Sequence, residues 1–283
     1  MPRQDPGRSA RPRRPKPTGT PQPPDRLAVP GHDGEPIGRD RVTRRRSAPP
    51  RATVPAEEAP KRPNLPDEQP HLPRSVRKEI DRVLGPGRRA QDVALCLSIA
   101  SQALDEDRPD VALEVLAWAK HEAPRLAVIR EAYGIALYQV ERWHEALSEL
   151  QAYRRLTGRT DQNHVIADCL RALGRGVTQV ADAAEPLVED HQAPEDRRAE
   201  AAIVWAAALA DAGELASGRA VLRRFLERPR SSDAEHDLRV RYLAADLAER
   251  AGDRDESWRQ LDLIAAVSEG FLDVRERLEA HER

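Results

Sequence analysis

From Val76 to the C-terminus, apolar side chains return every three or four residues, in runs broken by short polar stretches that hold glycine or proline. That spacing predicts amphipathic helices, and nowhere do apolar and polar residues alternate long enough to predict a strand. A first helix is expected over residues 75–84. Ser75 can cap it, Val76, Ile80, Val83 and Leu84 share one side, and Gly85-Pro86-Gly87 stops it. Before residue 75 the pattern fails, because single Leu and Val residues stand apart at neither helical nor strand spacing. The chain is therefore expected to be all-α over residues 75–283, behind an arm, residues 1–74, without regular structure.

Compared with itself, the helical part repeats. Ala100, Ala112, Leu116, Ala119 and Pro124 reappear 34 residues later as Gly134, Ala146, Leu150, Tyr153 and Gly158. A fixed period of this length marks stacked helical hairpins, each of which buries its second apolar face only against a neighbour. Small residues such as Ala100, Gly134, Ala146 and Ala206 let two helices approach closely, and Leu116, Leu137, Leu150 and Leu209 fill the groove between them. Later copies drift. HVIADCLRALGR opens a third unit with Ala167, Leu170 and Gly174, whose second helix is expected from Val177 to about Leu187. A fourth unit carries Ala206, Leu209, Gly213, Leu222 and Phe225, and a fifth Ala245, Gly252, Leu261 and Ile264. The closing GFLDVRERLEAHER reads as a solvating cap helix with Leu272 and Leu278 inward.

In EAYGIALYQVERWHEALSELQAYRRLTG, residues Gly134, Leu137, Trp143, Ala146, Leu150 and Tyr153 stand at the marked positions of the tetratricopeptide repeat (TPR). The copy before it carries Ala100, Ala103, Ala112, Leu116, Ala119 and the closing Pro124. The sequence resembles that family. Together with the Arg-rich arm it is similar to a group of actinobacterial TPR proteins named by their repeats rather than by an activity. The resemblance implies a TPR-like α-solenoid of about five helix pairs plus a cap helix, with a concave surface built mainly from the first helix of each pair.

Composition sharpens the division between arm and body. Residues 1–75 hold 18 of the 24 prolines and no Phe, Trp or Tyr. Their 16 Lys and Arg against 9 Asp and Glu give +7, which leaves 30 against 39, or −9, for residues 76–283 behind a total of −2. Proline removes backbone donors and like charges resist compaction, so the arm is expected to be disordered. Arg11, Arg13, Arg14, Arg44, Arg45 and Arg46 could each neutralise a phosphate of RNA or DNA, though no aromatic is present to stack a base. The bland alternative is a solvated tail. Pro12 to Pro15 and Pro21 to Pro24 match PxxP and Ser47 follows three arginines, patterns that Arg/Pro-rich sequence produces unaided. The opposed charges also allow the arm to lie across the body, a contact that salt would release.

The N-terminus lacks the apolar stretch of a signal peptide, and the longest uncharged apolar run, Ala201 to Ala210, is far below a bilayer span. Two cysteines, Cys96 and Cys169, fit a reducing compartment, so a cytoplasmic protein without membrane contact is expected. Gly85 to Ala90 nominally match GxGxxA, but that loop would have to follow a strand, and here it follows a helix. No GxxxxGK[ST], HExxH or GxSxG occurs, and no two of the eight histidines stand three or four residues apart. Neither enzyme chemistry, cofactor nor metal is expected. Trp118, Trp143, Trp205 and Trp258 sit in apolar repeat contexts and read as inter-helix packing, and both cysteines as small buried apolar residues.

What remains for function is the concave face. Registered on the repeat, it would display Glu131, Tyr138 and Gln139 from the second unit, His164, Asp168 and Arg171 from the third, and Tyr242, Asp246 and Glu249 from the fifth. This is a mixed, slightly acidic groove. TPR domains that clamp a C-terminal carboxylate use Lys and Asn at positions that here hold Glu131, His164 and Asp168, which disfavours that mode. The expected role is a non-enzymatic scaffold that binds a protein or peptide in this groove. The alternative is an RNA- or ribonucleoprotein-associated protein that uses the basic arm, and a homodimer through terminal helices is compatible with either.

Overall fold

The computed structural model describes residues 59–227 and 234–281. Most of the arm, with Arg11, Arg13, Arg14, Arg44, Arg45 and Arg46, lies outside the described residues, as does any contact of it with the body. Regular structure among the described residues is helical throughout. The helices are α1 (Arg74–Leu84), α2 (Arg88–Asp105), α3 (Pro109–Glu122), α4 (Ala127–Gln139), α5 (Trp143–Thr157), α6 (Asn163–Ala172), α7 (Val177–Glu189), α8 (Glu195–Asp211), α9 (Leu215–Leu226), α10 (Glu235–Arg250), α11 (Arg254–Ala265) and α12 (Val274–His281). From α2 to α11 they form five antiparallel pairs, with α1 before and α12 behind.

One turn geometry joins the two helices of every pair. In each, a residue with left-handed backbone closes the first helix: Asp107 (φ 56°), Glu141 (φ 59°), Gly174 (φ 65°), Gly213 (φ 84°) and Gly252 (φ 78°). Its N–H donates to the carbonyl three residues back, and the next N–H reaches five back, as from Arg142 to Leu137 and from Asp253 to Ala248. These paired bonds satisfy carbonyls that a helix end leaves orphaned. The repeat is thus written into the turns as well as the core.

Within a pair the helices touch closely at the small residues. A Cβ on Gly134 would lie 2.7 Å from Leu150 Cγ, and one on Gly218 would lie 2.8 Å from the carbonyl oxygen of Ala206. Leu116, Leu137, Leu150 and Leu222 are wholly buried in a core that runs from α1 to α10. Leu238, Ala245, Leu261, Ile264 and Val274 form a second, smaller cluster under α12. First helices of successive pairs contact one another, α2 with α4, α4 with α6, α6 with α8 and α8 with α10, whereas successive second helices make no comparable contact. The first helices therefore line the inside of the curve.

Several boundaries differ from the sequence reading. The first helix starts at Arg74, with Pro73 rather than Ser75 at its N-cap and no side-chain cap. The helix expected to end near Leu187 runs to Glu189 and carries Pro186 inside it. Leu272, expected inward, is 66% exposed, because α12 begins only at Val274 and buries Val274 and Leu278, one turn apart, instead. Trp118 is buried and Trp143 and Trp205 pack against the core, but Trp258 is 39% exposed, beside Glu249 of α10 and Arg277 of α12. Residues 59–73, expected within the arm, lie as a strap against the body, with Leu65 and Leu72 packed on the core.

Candidate partner-binding groove

The inner face presents the polar residues of α4, α6, α8 and α10 in rows, and most are bonded from one pair to the next. Tyr138 Oη donates to Asp168 Oδ2 at 2.6 Å, and the Tyr138 ring meets Trp143 edge to face at 5.2 Å. Arg171 reaches Asp168 on its own helix at 3.7 Å and Asp211 of α8 at 2.9 Å. Further along, Arg239 of α10 pairs with Glu200 of α8 at 2.6 Å. Near the start of α6, Gln162 Nε2 donates to Glu131 Oε1 at 2.7 Å, and Asp161 accepts from Tyr153 and lies 3.6 Å from Arg197.

Burial shapes the electrostatics of these rows. It raises the Glu131 carboxyl above its usual range, with Asp161 adding to the shift against the bond from Gln162. It raises Glu200 likewise, where Asp168 and Asp196 push the same way against Arg239. The Tyr138 hydroxyl is raised by burial and by its bond to Asp168. His164 is pushed down to about 4, first by burial and then by Arg197, so its ring stays neutral, and its Nδ1 is buried without a hydrogen-bond partner. Cys96 and Cys169 are wholly buried and raised to about 12 by the same desolvation. Both thiols are therefore protonated at neutral pH and inert as nucleophiles.

The nine groove positions read from the sequence thus separate into groups. Tyr138, Asp168 and Arg171 come together as one strut-linked row, and Glu131 and His164 lie in the neighbouring row beside Asp161 and Arg197. Gln139 is exposed at the end of α4, and Asp246 pairs with Arg250 at 3.7 Å on the open side of α10. Tyr242 and Glu249 serve differently. Tyr242 Oη donates to Asp273 at 2.6 Å, its ring lies edge-on to Phe271, and Arg277 of α12 sits over that ring at 5.3 Å while binding Glu249 at 2.5 Å. The cap region ties both down by these contacts and leaves the Glu249 side chain exposed.

Sequence reasoning missed Glu200, Arg239, Asp161 and Arg197, which the superhelix brings onto the same face. Their signal would have been one further repeat register, which the drift of the third and fourth units obscures. On the outer side, a cavity of about 480 Å³ between α9, α10 and α11 is lined by Arg219, Arg223, Arg241 and Arg259. Each of these guanidiniums already has a carboxylate: Asp253, Glu227, Asp237 and Glu256 respectively. Among the described residues no group of three or more His, Cys, Asp or Glu converges on a common point that could hold a metal, and no helix is long and apolar enough to cross a membrane.

Helix pairs with a shared turn, small-residue contacts at fixed positions and inner first helices define a TPR-type α-solenoid. Solved structures agree. PilF of Pseudomonas aeruginosa matches with a TM-score of 0.50 at 18% identity, over 73% of this chain and 98% of that one. A variant of the nearly identical TPR-like repeats of a Podosopora anserina kinesin light chain matches with a TM-score of 0.51 at 15% identity, over 64% of this chain and 95% of that one. These likenesses concern the fold. No protein-family model and no curated protein matches the sequence.

Proposed function

We propose that the body is a non-catalytic protein-interaction scaffold whose inner face holds a segment of a partner protein bearing cationic side chains. One observation supports this reading above the rest: Glu131 and Glu200, on α4 and α8, are half-buried on the inner face, and burial first, with Asp161 beside Glu131 and Asp168 and Asp196 beside Glu200 adding to it, holds both above their usual range. A lysine or arginine laid along that row would relieve the crowding, and the struts around Tyr138 and Arg171 keep the face preorganised for it.

The test compares three forms of the full-length chain in crosslinking capture from lysate, each with and without nuclease: the native protein, the Glu131→Lys/Glu200→Lys double variant, and Glu185→Lys on the outer helix α7. Proteins captured by the native and outer-face forms, lost from the double variant and indifferent to nuclease are the expected result. Identical captures from all three forms refute the groove reading, and captures that vanish with nuclease would assign the partner's hold to RNA.

A further inference from the structure

The strap before α1 has a place that the repeat itself defines. On α2 the flank formed by Asp92, Leu95, Ser98 and Ile99 corresponds, 34 residues on, to Leu126, Ile129, Ala132 and Tyr133 of the second unit. There the preceding pair covers the flank, and Leu126 and Ile129 are wholly buried. Among the described residues no pair precedes α2. Instead α1 and residues 59–73 take the vacant place: Leu65 and Leu72 pack on the core, and Arg62 meets Asp92 in a bidentate pair with both contacts at 2.9 Å. The His71 N–H donates to Ser98 Oγ at 2.9 Å.

The strap holds on as a bound peptide does, and not as a folded element. It has no helix or strand, and five prolines (Pro60, Pro63, Pro66, Pro70 and Pro73) deny it backbone donors. Proline also fixes φ, and Pro73 at φ −55°, ψ 144° has the extended polyproline conformation that costs little entropy to bind. Apart from the half-buried Leu65, Leu72, Pro63 and Pro70, its side chains are exposed, and Arg62 keeps 42% of its side chain in solvent. Beyond Pro73 the chain is anchored independently, because Ile80 of α1 is wholly buried and Arg77 donates to Gln91 at 2.6 Å.

We propose that the flank of α2 around Asp92 and Ser98 is a peptide-binding site for an extended, proline-interrupted segment with an arginine three residues before a leucine. Residues 59–73 are its resident ligand, exchangeable for a segment of the same chemistry on another protein. The inner groove is a separate surface, and this site stands or falls without it.

The probe is a fluorescent synthetic peptide of residues 59–73, followed by anisotropy against the full-length chain. The native protein binds it weakly, because the tethered strap competes at an effective concentration on the order of millimolar. In the Arg62→Ala/Leu65→Ala/Leu72→Ala chain, which empties the site and leaves α2 intact, the peptide binds saturably. A peptide carrying Arg62→Ala then binds about three- to tenfold more weakly, the worth of an exposed but bidentate charged pair. Absence of saturable binding to the substituted chain, or equal affinity for the two peptides, overturns the proposal. If the triple variant loses its helical circular dichroism, the Asp92→Arg chain decides instead: it should prefer a peptide with Arg62→Asp over the native peptide, and indifference refutes the site.

Discussion

The first two pairs, α2 to α5, and the last pair, α10 and α11, share one turn geometry but differ in burial, since of the last pair's buried residues only Val240 and Leu247 of α10 join the main core. In the first, Leu116, Leu137 and Leu150 are wholly buried between helices that touch at Ala100 and Gly134. In the last, a small separate cluster around Leu261 and Ile264 is closed by the eight-residue α12, and Trp258, Leu263 and Val267 stay substantially exposed. A solenoid unit gains its second buried face from the unit that follows it, and the last pair has only a short cap there. Local turn chemistry therefore repeats faithfully along the body, while burial depends on neighbours.

The largest contrast is expected from leucine truncation. Leu150→Ala should cost about 2–5 kcal/mol, since it removes a wholly buried side chain and leaves a hole over Gly134. Leu263→Ala, at 42% exposure, should fall within about 0.5 kcal/mol of the native protein. Urea midpoints compare the two, and similar losses would mean that the last pair is as well buried as the first. Next comes Gly218→Ala. Its Cβ would meet the backbone oxygen of Ala206 at 2.8 Å, and one on Gly134 would meet the branch carbon of the wholly buried Leu150 at 2.7 Å, so neither neighbour has open room to move into. We expect about 1–3 kcal/mol at Gly218 and a comparable loss for Gly134→Ala by the same assay.

Between these extremes lies a pH effect in the middle of the body. The folded His164 is held near 4, below its ordinary 6.5, so the unfolded chain takes up the proton first. Its contribution to stability is whole above about 6.5 and is lost as pH falls toward and through 4. His164→Gln should flatten the acid side of the stability profile over that window and leave the alkaline side unchanged. An unaltered acid limb in chemical denaturation would contradict the assigned burial.

The parts of this molecule that were legible in the sequence are those that depend on near neighbours. The 34-residue recurrence of Ala100 and Gly134, and of Leu116 and Leu150, predicts the pairs because each pair packs on itself and the next. Gly174, Gly213 and Gly252 likewise mark turns, since the left-handed position rewards glycine. The strap was not legible: Leu65 and Leu72 have no period, and a proline-rich tail and a docked strap share one composition. The struts were half legible. Tyr138 and Asp168 could be placed on one face, but their bond across 30 residues, and the bonds of Tyr242 to Asp273 and of Glu249 to Arg277, depend on the superhelix and on where the last helix begins.

A smaller effect separates the two struts. Tyr138→Phe removes a half-buried hydroxyl from a charged acceptor and should cost about 1–2 kcal/mol, whereas Tyr242→Phe, whose bond to Asp273 lies in solvent, should cost less than about 1 kcal/mol. Equal losses in thermal or chemical unfolding would mean that α12 seals its end of the groove as tightly as a full pair does.

The smallest effect runs in the opposite direction and tests the shared turn itself. Glu141 holds the left-handed position between α4 and α5 with φ 59°, where a side chain costs about 1–2 kcal/mol relative to glycine. Part of that gain is offset, because glycine also enlarges the unfolded ensemble. Glu141→Gly should therefore stabilise the protein by about 0.5–1 kcal/mol. The reciprocal Gly252→Ala, at φ 78° in the last pair, should destabilise it by a similar amount. If the five turns are equivalent in energy as they are in hydrogen bonding, the two changes should be close to equal and opposite. A markedly smaller loss at Gly252 would show that the weakly buried last pair absorbs strain that the first pairs cannot.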